Sequence, residues 1–322
     1  MALQDDWLES YRGATPFSEE VPHRTCTTMA HNQLMMEAYP AFRRLLSDLE
    51  RETRARLAEP QTFAADEPVT IPVAVHVVWR TDAENISDAQ IASQIDVLNA
   101  DYAAANPDRA RIPGVWQGLS VDSGVRFRLA STGPDGTPHS GINRVKTNVS
   151  DFSTDDRVKS TATGGADAWP ADVYLNLWVC NLGGGVLGYA QFPGGPPSTD
   201  GVVIGYPYFG VGGSAVAPFD RGRTATHEVG HWLNLRHIWG DTEDCTGSDF
   251  VADTPGQRLP NYNEPSFPSI SCNNGPNGDM FMNYMDYVDD AAMFMFTSGQ
   301  VARMRATLSS IRVGLLSSIS AA

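Results

Sequence analysis

The chain has 322 residues, 42% of them hydrophobic, and a net charge of −15, which suits one large domain or two lobes each with its own core. That acidity argues against nucleic acid or an anionic membrane as partner and is compatible with cationic substrates. No run approaches the roughly 18 apolar residues of a membrane helix, and Asp5, Asp6, Glu9, Arg12, Glu19 and Glu20 stand where a signal peptide would be apolar; either a secretion signal has been removed or export takes another route, and a cytoplasmic location is the alternative.

Residues 1–60 read as a separate N-terminal segment. Tyr39 to Leu57 is rich in Arg and Glu, with Phe42, Leu45, Leu46 and Leu49 at helical spacing, and Pro60 with Pro68 brackets a linker. Val69 to Trp79 is a β-branched apolar run that predicts the first strand of a sheet. Ser87-Asp88-Ala89-Gln90 has the pattern of a capping box. Ile91, Ile95, Leu98 and Tyr102 then recur on one face, so a helix laid on that sheet is expected, ended by Asn106-Pro107. Val125 to Ala130 and Val173 to Cys180 predict further strands, separated by a loop rich in Ser, Thr, Asp and Gly. Gly183 to Pro193 joins a glycine cluster to a short strand, and on its own reads as a flexible turn.

The stretch richest in chemistry is His227-Glu228-Val229-Gly230-His231, continued to His237. Two histidines four residues apart share one helix face, so their ring nitrogens can meet at one metal ion. Zn²⁺ suits neutral imidazole, and three protein ligands leave a position for a water whose pKa falls to about 7. Glu228 is placed to act on that water as general base. His237 lies too far round to join this face if the helix continued, so the helix must stop near Asn234, a residue that tolerates the left-handed conformation. A polar helix with surface histidines, or a structural zinc site, is the plainer alternative.

Asp249 to Pro255 sets oxygen donors at close spacing without the EF-hand pattern, and an Asx-turn loop would explain it equally. Four cysteines stand at 26, 180, 245 and 272, and their connectivity is not given by sequence. Thr297-Ser298-Gly299-Gln300 is a second capping box, opening a C-terminal helix with Val301, Met304, Leu308 and Ile311 inward.

The segment from His227 to His237 resembles the long zinc-binding motif of metzincin metallopeptidases, HExxHxxGxxH followed by a Met-turn, with Asn234 where that motif has its central Gly. Gly222-Arg223-Thr224-Ala225-Thr226, Ile238-Trp239-Gly240-Asp241 and Asn283-Tyr284-Met285-Asp286-Tyr287 extend the likeness. From about residue 70 onward the chain resembles the pappalysin family, on its ulilysin-like or cytophagalysin side. The resemblance implies an α/β (α+β) zinc peptidase of metzincin type. Residues 61–322 would form the catalytic domain: an upper lobe, 69–234, with a twisted mixed sheet and the active-site helix, above an irregular lower lobe, 235–322.

Further roles follow from the resemblance alone. Residues 1–60 become a pro-segment that inhibits its own enzyme. Arg24-Thr25-Cys26-Thr27-Thr28 resembles the Arg-x-Cys-Gly-Thr latency motif, with Thr27 in place of Gly; a Cys26 thiolate on the zinc would displace the catalytic water. A buried or free cysteine is the alternative. Gly188, Tyr189 and Ala190 match the edge strand that binds an extended peptide, where glycine lets a substrate backbone come close. Asp249 and Thr254 match a calcium-binding loop. Met285 would floor the zinc histidines, Tyr287 would donate to the oxyanion, and Asp286 would be structural. Asp290 matches the carboxylate that selects Arg or Lys in the S1′ pocket, against a solvated Asp289–Asp290 pair. Relatives often carry two disulfides in the lower lobe, and this chain lacks one half of each: Ala292 stands where a Cys is common, and none lies between 246 and 271. Cys245 and Cys272 could therefore pair, or stay reduced in a cytosolic protein.

The expectation is a zinc endopeptidase made as a zymogen, in which Glu228 activates water and cleavage falls N-terminal to Arg or Lys of protein or peptide substrates. Self-activation would then fall before Arg51, Arg54 or Arg56. Two rivals are a non-catalytic, zinc-containing peptide-binding protein of the same fold and an intracellular aminopeptidase-like or regulatory peptidase.

Overall fold

A computed structural model describes residues 23–58 and 68–317; residues 1–22 of the N-terminal segment and most of the linker after it lie outside the described residues. Strand β1 (Val69–Trp79) is the spine of a six-stranded sheet. Its first half pairs with β2 (Val125–Leu129) and its second half with β3 (Ile142–Lys146), while β4 (Leu175–Cys180) takes the opposite edge; all three pairings are parallel. Beyond β4 comes β6 (Val202–Gly205), and β5 (Gly188–Ala190) closes the row as an antiparallel edge. Eight consecutive residues of β1 are buried, which is why it reads as an unbroken apolar run rather than an alternating one.

Strands β3 and β6 escaped the sequence reading. Ile142–Lys146 carries Asn, Arg and Lys, and none of its residues is fully buried, so apolar content could not reveal it. Val202–Gly205 is four residues, too short for periodicity to act.

Helix α3 (Asp88–Tyr102) lies on the sheet as expected, with Ile91, Leu98 and Tyr102 buried. Only half of its capping box forms. Ser87 Oγ accepts from Gln90 N at 3.2 Å, but Gln90 Oε1, the atom that would accept from Ser87 N, accepts from Ser214 N at 3.2 Å instead, while Gln90 Nε2 donates to Phe209 O at 2.8 Å. The box at Thr297 forms completely and opens α5 (Ser298–Leu308), where Val301, Met304 and Leu308 are buried. Ile311 falls beyond the end of that helix and is half-buried.

One apolar core runs from the sheet through α4 (Arg223–Trp232), where Val229 and Trp232 are buried, to Met280–Phe296. Two N-terminal helices, α1 (Thr28–Ala38) and α2 (Pro40–Ala58), pack on this body. Met35 and Phe42 close over Phe192, while Leu45, expected to face inward, is 39% exposed. Arg51, Arg54 and Arg56 lie on the outer face of α2, paired with Asp48, Glu50 and Glu52.

Candidate active site

Helix α4 carries the first two histidines and stops where the geometry requires. Asn234 adopts φ +73°, Asn234 N bonds to His231 O at 2.8 Å and Leu235 N to Gly230 O at 2.9 Å. This is a Schellman ending, and it turns the chain so that His237 comes back to the other two. His231 Nε2 lies 3.2 Å from His227 Nε2 and 3.1 Å from His237 Nε2. The Nδ1 atoms are engaged by Tyr284 O at 2.7 Å, Leu235 O at 2.9 Å and Asp241 Oδ1 at 2.5 Å. All three partners are acceptors, so each Nδ1 carries the proton and each Nε2 offers a lone pair. Burial holds His227 and His231 well below the usual imidazole range.

Three bare nitrogens facing one another repel unless a cation sits among them. The donor set therefore fits a zinc-type ion. Cys26 Sγ belongs to the same cluster, in which all four donor atoms lie within 4.8 Å of one another. No other group of three or more His, Cys, Asp or Glu donors is found among the described residues.

Glu228 is buried beside this cluster. Its Oε2 accepts from Thr28 Oγ1 at 2.8 Å and stands 3.4 Å from Cys26 Sγ. Burial pushes its carboxyl up to about 7. The Cys26 thiol is pushed up by burial and by the Glu228 charge; a cation at the focus would act in the opposite sense. The Tyr287 hydroxyl reaches the same point from the other side, donating to Cys26 O at 3.0 Å. Met285 lies beneath α4: a Cβ on Gly230 would meet Met285 Sδ at 2.5 Å, so the helix can rest on this sulfur only with glycine at 230. Trp239 stacks on His237 with ring centroids 4.3 Å apart.

The N-terminal segment runs along β5. Leu187 N donates to Thr25 O at 3.0 Å, Cys26 bridges to Gly188 in parallel, and Ala190 N donates to Thr28 Oγ1 at 2.8 Å. Gly188 O, which accepts from Thr27 N at 3.4 Å, and Ala190 N thus present backbone groups to the N-terminal segment. Gly188 has an inner reason as well, since a Cβ there would sit 2.9 Å from Val203 O and 3.1 Å from Glu228 Cγ. The Tyr189 side chain points away, its hydroxyl 3.1 Å from Asp156 Oδ1.

Asp290 is fully buried rather than solvated. Arg24 Nη2 donates to its Oδ1 at 2.5 Å, and Oδ2 accepts from Arg221 N at 2.8 Å and Arg223 N at 3.2 Å. Asp286 is held by Asn261 and Gln257, consistent with a role in fixing the segment around Met285. Thr254 Oγ1 donates to Asp249 Oδ2 at 2.8 Å and to Val251 O at 3.0 Å. Cys245 and Cys272 form a disulfide, and Cys26 and Cys180 are free.

Sequence reasoning missed several supporting residues. Thr28 engages both Glu228 and Ala190. Asp101 accepts from the Tyr284 and Thr226 hydroxyls, each at 2.8 Å, and so braces both α4 and the carbonyl that holds His227. Arg223, pinned by Asp108, donates to Asp290 O at 2.8 Å. Such residues match no spacing rule. Asp241 alone left a signal, a carboxylate four residues after the third histidine.

Comparison with known proteins agrees with this geometry. The Peptidase_M43 model, described as pregnancy-associated plasma protein-A, matches residues 158–309. Extracellular metalloprotease 1 of Coccidioides posadasii is 34% identical over 274 residues, covering 82% of this chain and 86% of that one. Mature mirolysin of Tannerella forsythia, in complex with a cleaved peptide, is 51% identical, with a TM-score of 0.76 over 78% of this chain and 96% of that one. A Tannerella forsythia promirolysin mutant is 45% identical, with a TM-score of 0.84 over 91% and 97%.

Proposed function

Since the chain belongs to the pappalysin-type Peptidase_M43 family and is a metalloendopeptidase, we propose that it is a zinc endopeptidase made as a zymogen that cleaves N-terminal to Arg or Lys. The observation that carries this is the convergence of three imidazole Nε2 atoms with a buried carboxylate and a cysteine thiol at one point.

His227, His231 and His237 would hold the zinc ion, which supplies a polarised water and a Lewis acid for the scissile carbonyl. Glu228 takes a proton from the attacking water and passes it to the leaving amine. The Tyr287 hydroxyl, released from Cys26 O, donates to the oxyanion. Met285 floors the site. Gly188, Tyr189 and Ala190 bind the substrate backbone by strand addition.

Residues 1–60 are the pro-segment in this proposal, and residues 61–322 the catalytic domain, with lobes 69–234 and 235–322. Cys26 would take the place of the catalytic water as fourth ligand to the metal, Thr28 occupies Glu228, and Arg24 fills the pocket at Asp290. That contact also supports the specificity: the chain's own arginine is held there by a buried carboxylate. Self-cleavage before Arg51, Arg54 or Arg56 requires the end of α2 to fray, because peptidases take extended backbone. The promirolysin match and relatives named extracellular support latency and a secreted enzyme. No described helix is long and apolar enough to cross a membrane. The proposal includes a structural calcium ion at Asp249 and Thr254, supported by a buried carboxylate with a hydroxyl and the Val251 carbonyl beside it.

The test is digestion of a protein mixture by the activated chain and by Glu228→Ala, with the new peptide N-termini sequenced. Cleavage by the parent alone, with Arg or Lys opening the new peptides, is expected. Other residues there would remove the specificity, and equal activity in Glu228→Ala would remove the mechanism.

A further inference from the structure

We propose that Arg236 and Arg303 form a subsite for an acidic side chain of the substrate, on the side of the cleft that precedes the scissile bond, and that Glu50 of the N-terminal segment occupies it in the uncut chain. This rests on the peptidase assignment above and on Asp290 facing the residue that follows the scissile bond.

The Arg303 guanidinium is shut off from water. Its Nε donates to Asn234 O at 2.7 Å, and its two terminal nitrogens grip the two oxygens of Glu50, Nη1 at 3.2 Å from Oε1 and Nη2 in close contact with Oε2. Such a fork matches a carboxylate in a way a point charge would not. Arg236 lies alongside: its guanidinium is 5.0 Å from the centroid of the Phe250 ring, and that of Arg303 is 5.8 Å from the same centroid. Arg236 Nε is buried with no hydrogen-bond partner. Glu50 is thus gripped by Arg303 and by Arg54 of its own helix, whose Nε lies 3.0 Å from Oε1, with the Arg236 charge close by; Arg54 belongs to the N-terminal segment and leaves with Glu50. A cavity of about 590 Å³ between the N-terminal helices and the body, bordered by Asn32, Gln33, Glu50, Arg54, Arg236 and Phe250, adjoins Arg236. When the segment departs, Glu50 goes with it, and among the described residues neither Arg236 nor Arg303 has another ion pair.

The course of the N-terminal segment locates this pair on the cleft. The segment starts with Arg24 at Asp290 and then follows β5, Thr25 meeting Leu187, Cys26 meeting Gly188 and Thr28 meeting Ala190. Progress along β5 toward Phe192 is therefore progress away from Asp290. The Phe192 ring packs 5.5 Å from His231 and lies 5.9 Å from the Arg236 guanidinium. It is 3% exposed beneath Met35 and Phe42, so loss of the segment uncovers a flat apolar surface ending in two cations. The bond to be cut must lie at the histidine cluster, which Cys26 reaches on the Phe192 side of Asp290, so a substrate that sets its Arg or Lys against Asp290 runs opposite to the N-terminal segment and lays its preceding residues along this surface. A Glu or Asp reaching its end replaces Glu50.

The experiment uses the full chain after it has matured, with one set of peptides carrying Arg after the scissile bond. Glu, Gln or Lys is moved one position at a time through the residues before that bond, and kcat/KM is measured for each. One position should favour Glu over Gln by about tenfold, the scale of a charge-assisted hydrogen bond, and disfavour Lys. In Arg236→Gln the Glu-to-Gln ratio at that position should fall toward unity. A second arm needs no active-site variant: Glu50→Gln in the uncut chain should raise peptidase activity before any cleavage, because the segment loses its grip. Cleavage of the Gln peptides with no position that prefers Glu overturns the subsite and leaves the peptidase standing. No cleavage of any peptide by zinc-loaded, matured chain overturns both.

Discussion

Arg24 Nη2 lies 2.5 Å from Asp290 Oδ1, with the two side chains 1% and 0% exposed. One residue of the N-terminal segment is thereby locked to the carboxylate assigned to substrate selection, and Arg24 Nε adds a bond to Val288 O at 3.1 Å. Breaking such a pair from one side leaves a buried charge uncompensated, at a cost of about 3–5 kcal/mol. Asp290 keeps two backbone N–H donors, which should reduce the loss to about 2–3 kcal/mol. Arg24→Ala should therefore raise the activity of the uncut chain on a fluorogenic peptide by roughly 30- to 150-fold. An initial rate equal to that of the parent would show that the pair does not hold the segment down.

Asp290 has a second duty that shapes the choice of variant. Its Oδ2 accepts the backbone N–H groups of Arg221 and Arg223 at the start of α4, so Asp290→Ala also loosens the helix that carries His227 and His231. Asp290→Asn keeps the size and one acceptor oxygen while removing the charge. It should depress kcat/KM for peptides with Arg after the scissile bond by about 100-fold, the scale of a charge-assisted pair. Peptides with Leu there should change by only a few-fold. Equal losses on both series would sink the specificity argument.

The disulfide between Cys245 and Cys272 closes a loop with a sequence separation of 27 and little regular structure. On the chain-entropy model a loop of this length stabilises the folded chain by about 3.5 kcal/mol. Replacing both cysteines by serine should lower the denaturant midpoint accordingly and should not alter the three-histidine cluster. Unchanged stability in the double variant would mean that the loop is already confined without the bond.

How much of this was legible in the sequence depended on whether a rule links residue type to spacing. His227, His231 and the stop at Asn234 follow from helix geometry, and the return of His237 follows from the left-handed turn. The β1 run and the Thr297 box were equally plain, because burial on both faces and capping leave local signatures. Gly188 was noticed only for the outer side of its backbone; on the inner side it also lets Glu228 and β6 come close. Arg24, Thr28, Asp101 and Arg223 were invisible in their roles, because each acts on a partner more than 65 residues away, as |i−j| of 266 for Arg24 and Asp290 illustrates. Half of the Ser87 box failed for the same reason, the distant Ser214 N–H winning the Gln90 side-chain oxygen.

Asp249 gives a test of the calcium assignment that does not involve catalysis. Burial raises its carboxyl from 3.8 to about 6, against the lowering effect of the Thr254 hydrogen bond. An acid whose folded pKa is raised binds its proton more tightly in the folded state, so its contribution is fullest below the unfolded value and is lost as pH climbs to the folded one. Without calcium, stability should therefore fall between about pH 4 and pH 6, by on the order of 3 kcal/mol. A calcium ion on Asp249 and Thr254 would compensate the ionised carboxylate and cancel that fall, so the gain in Tm from added calcium should be small at pH 4.5 and large at pH 7. Asp249→Asn should abolish the difference between the two pH values. A calcium effect of the same size at both, or one that survives Asp249→Asn, would place the ion elsewhere or nowhere in this chain.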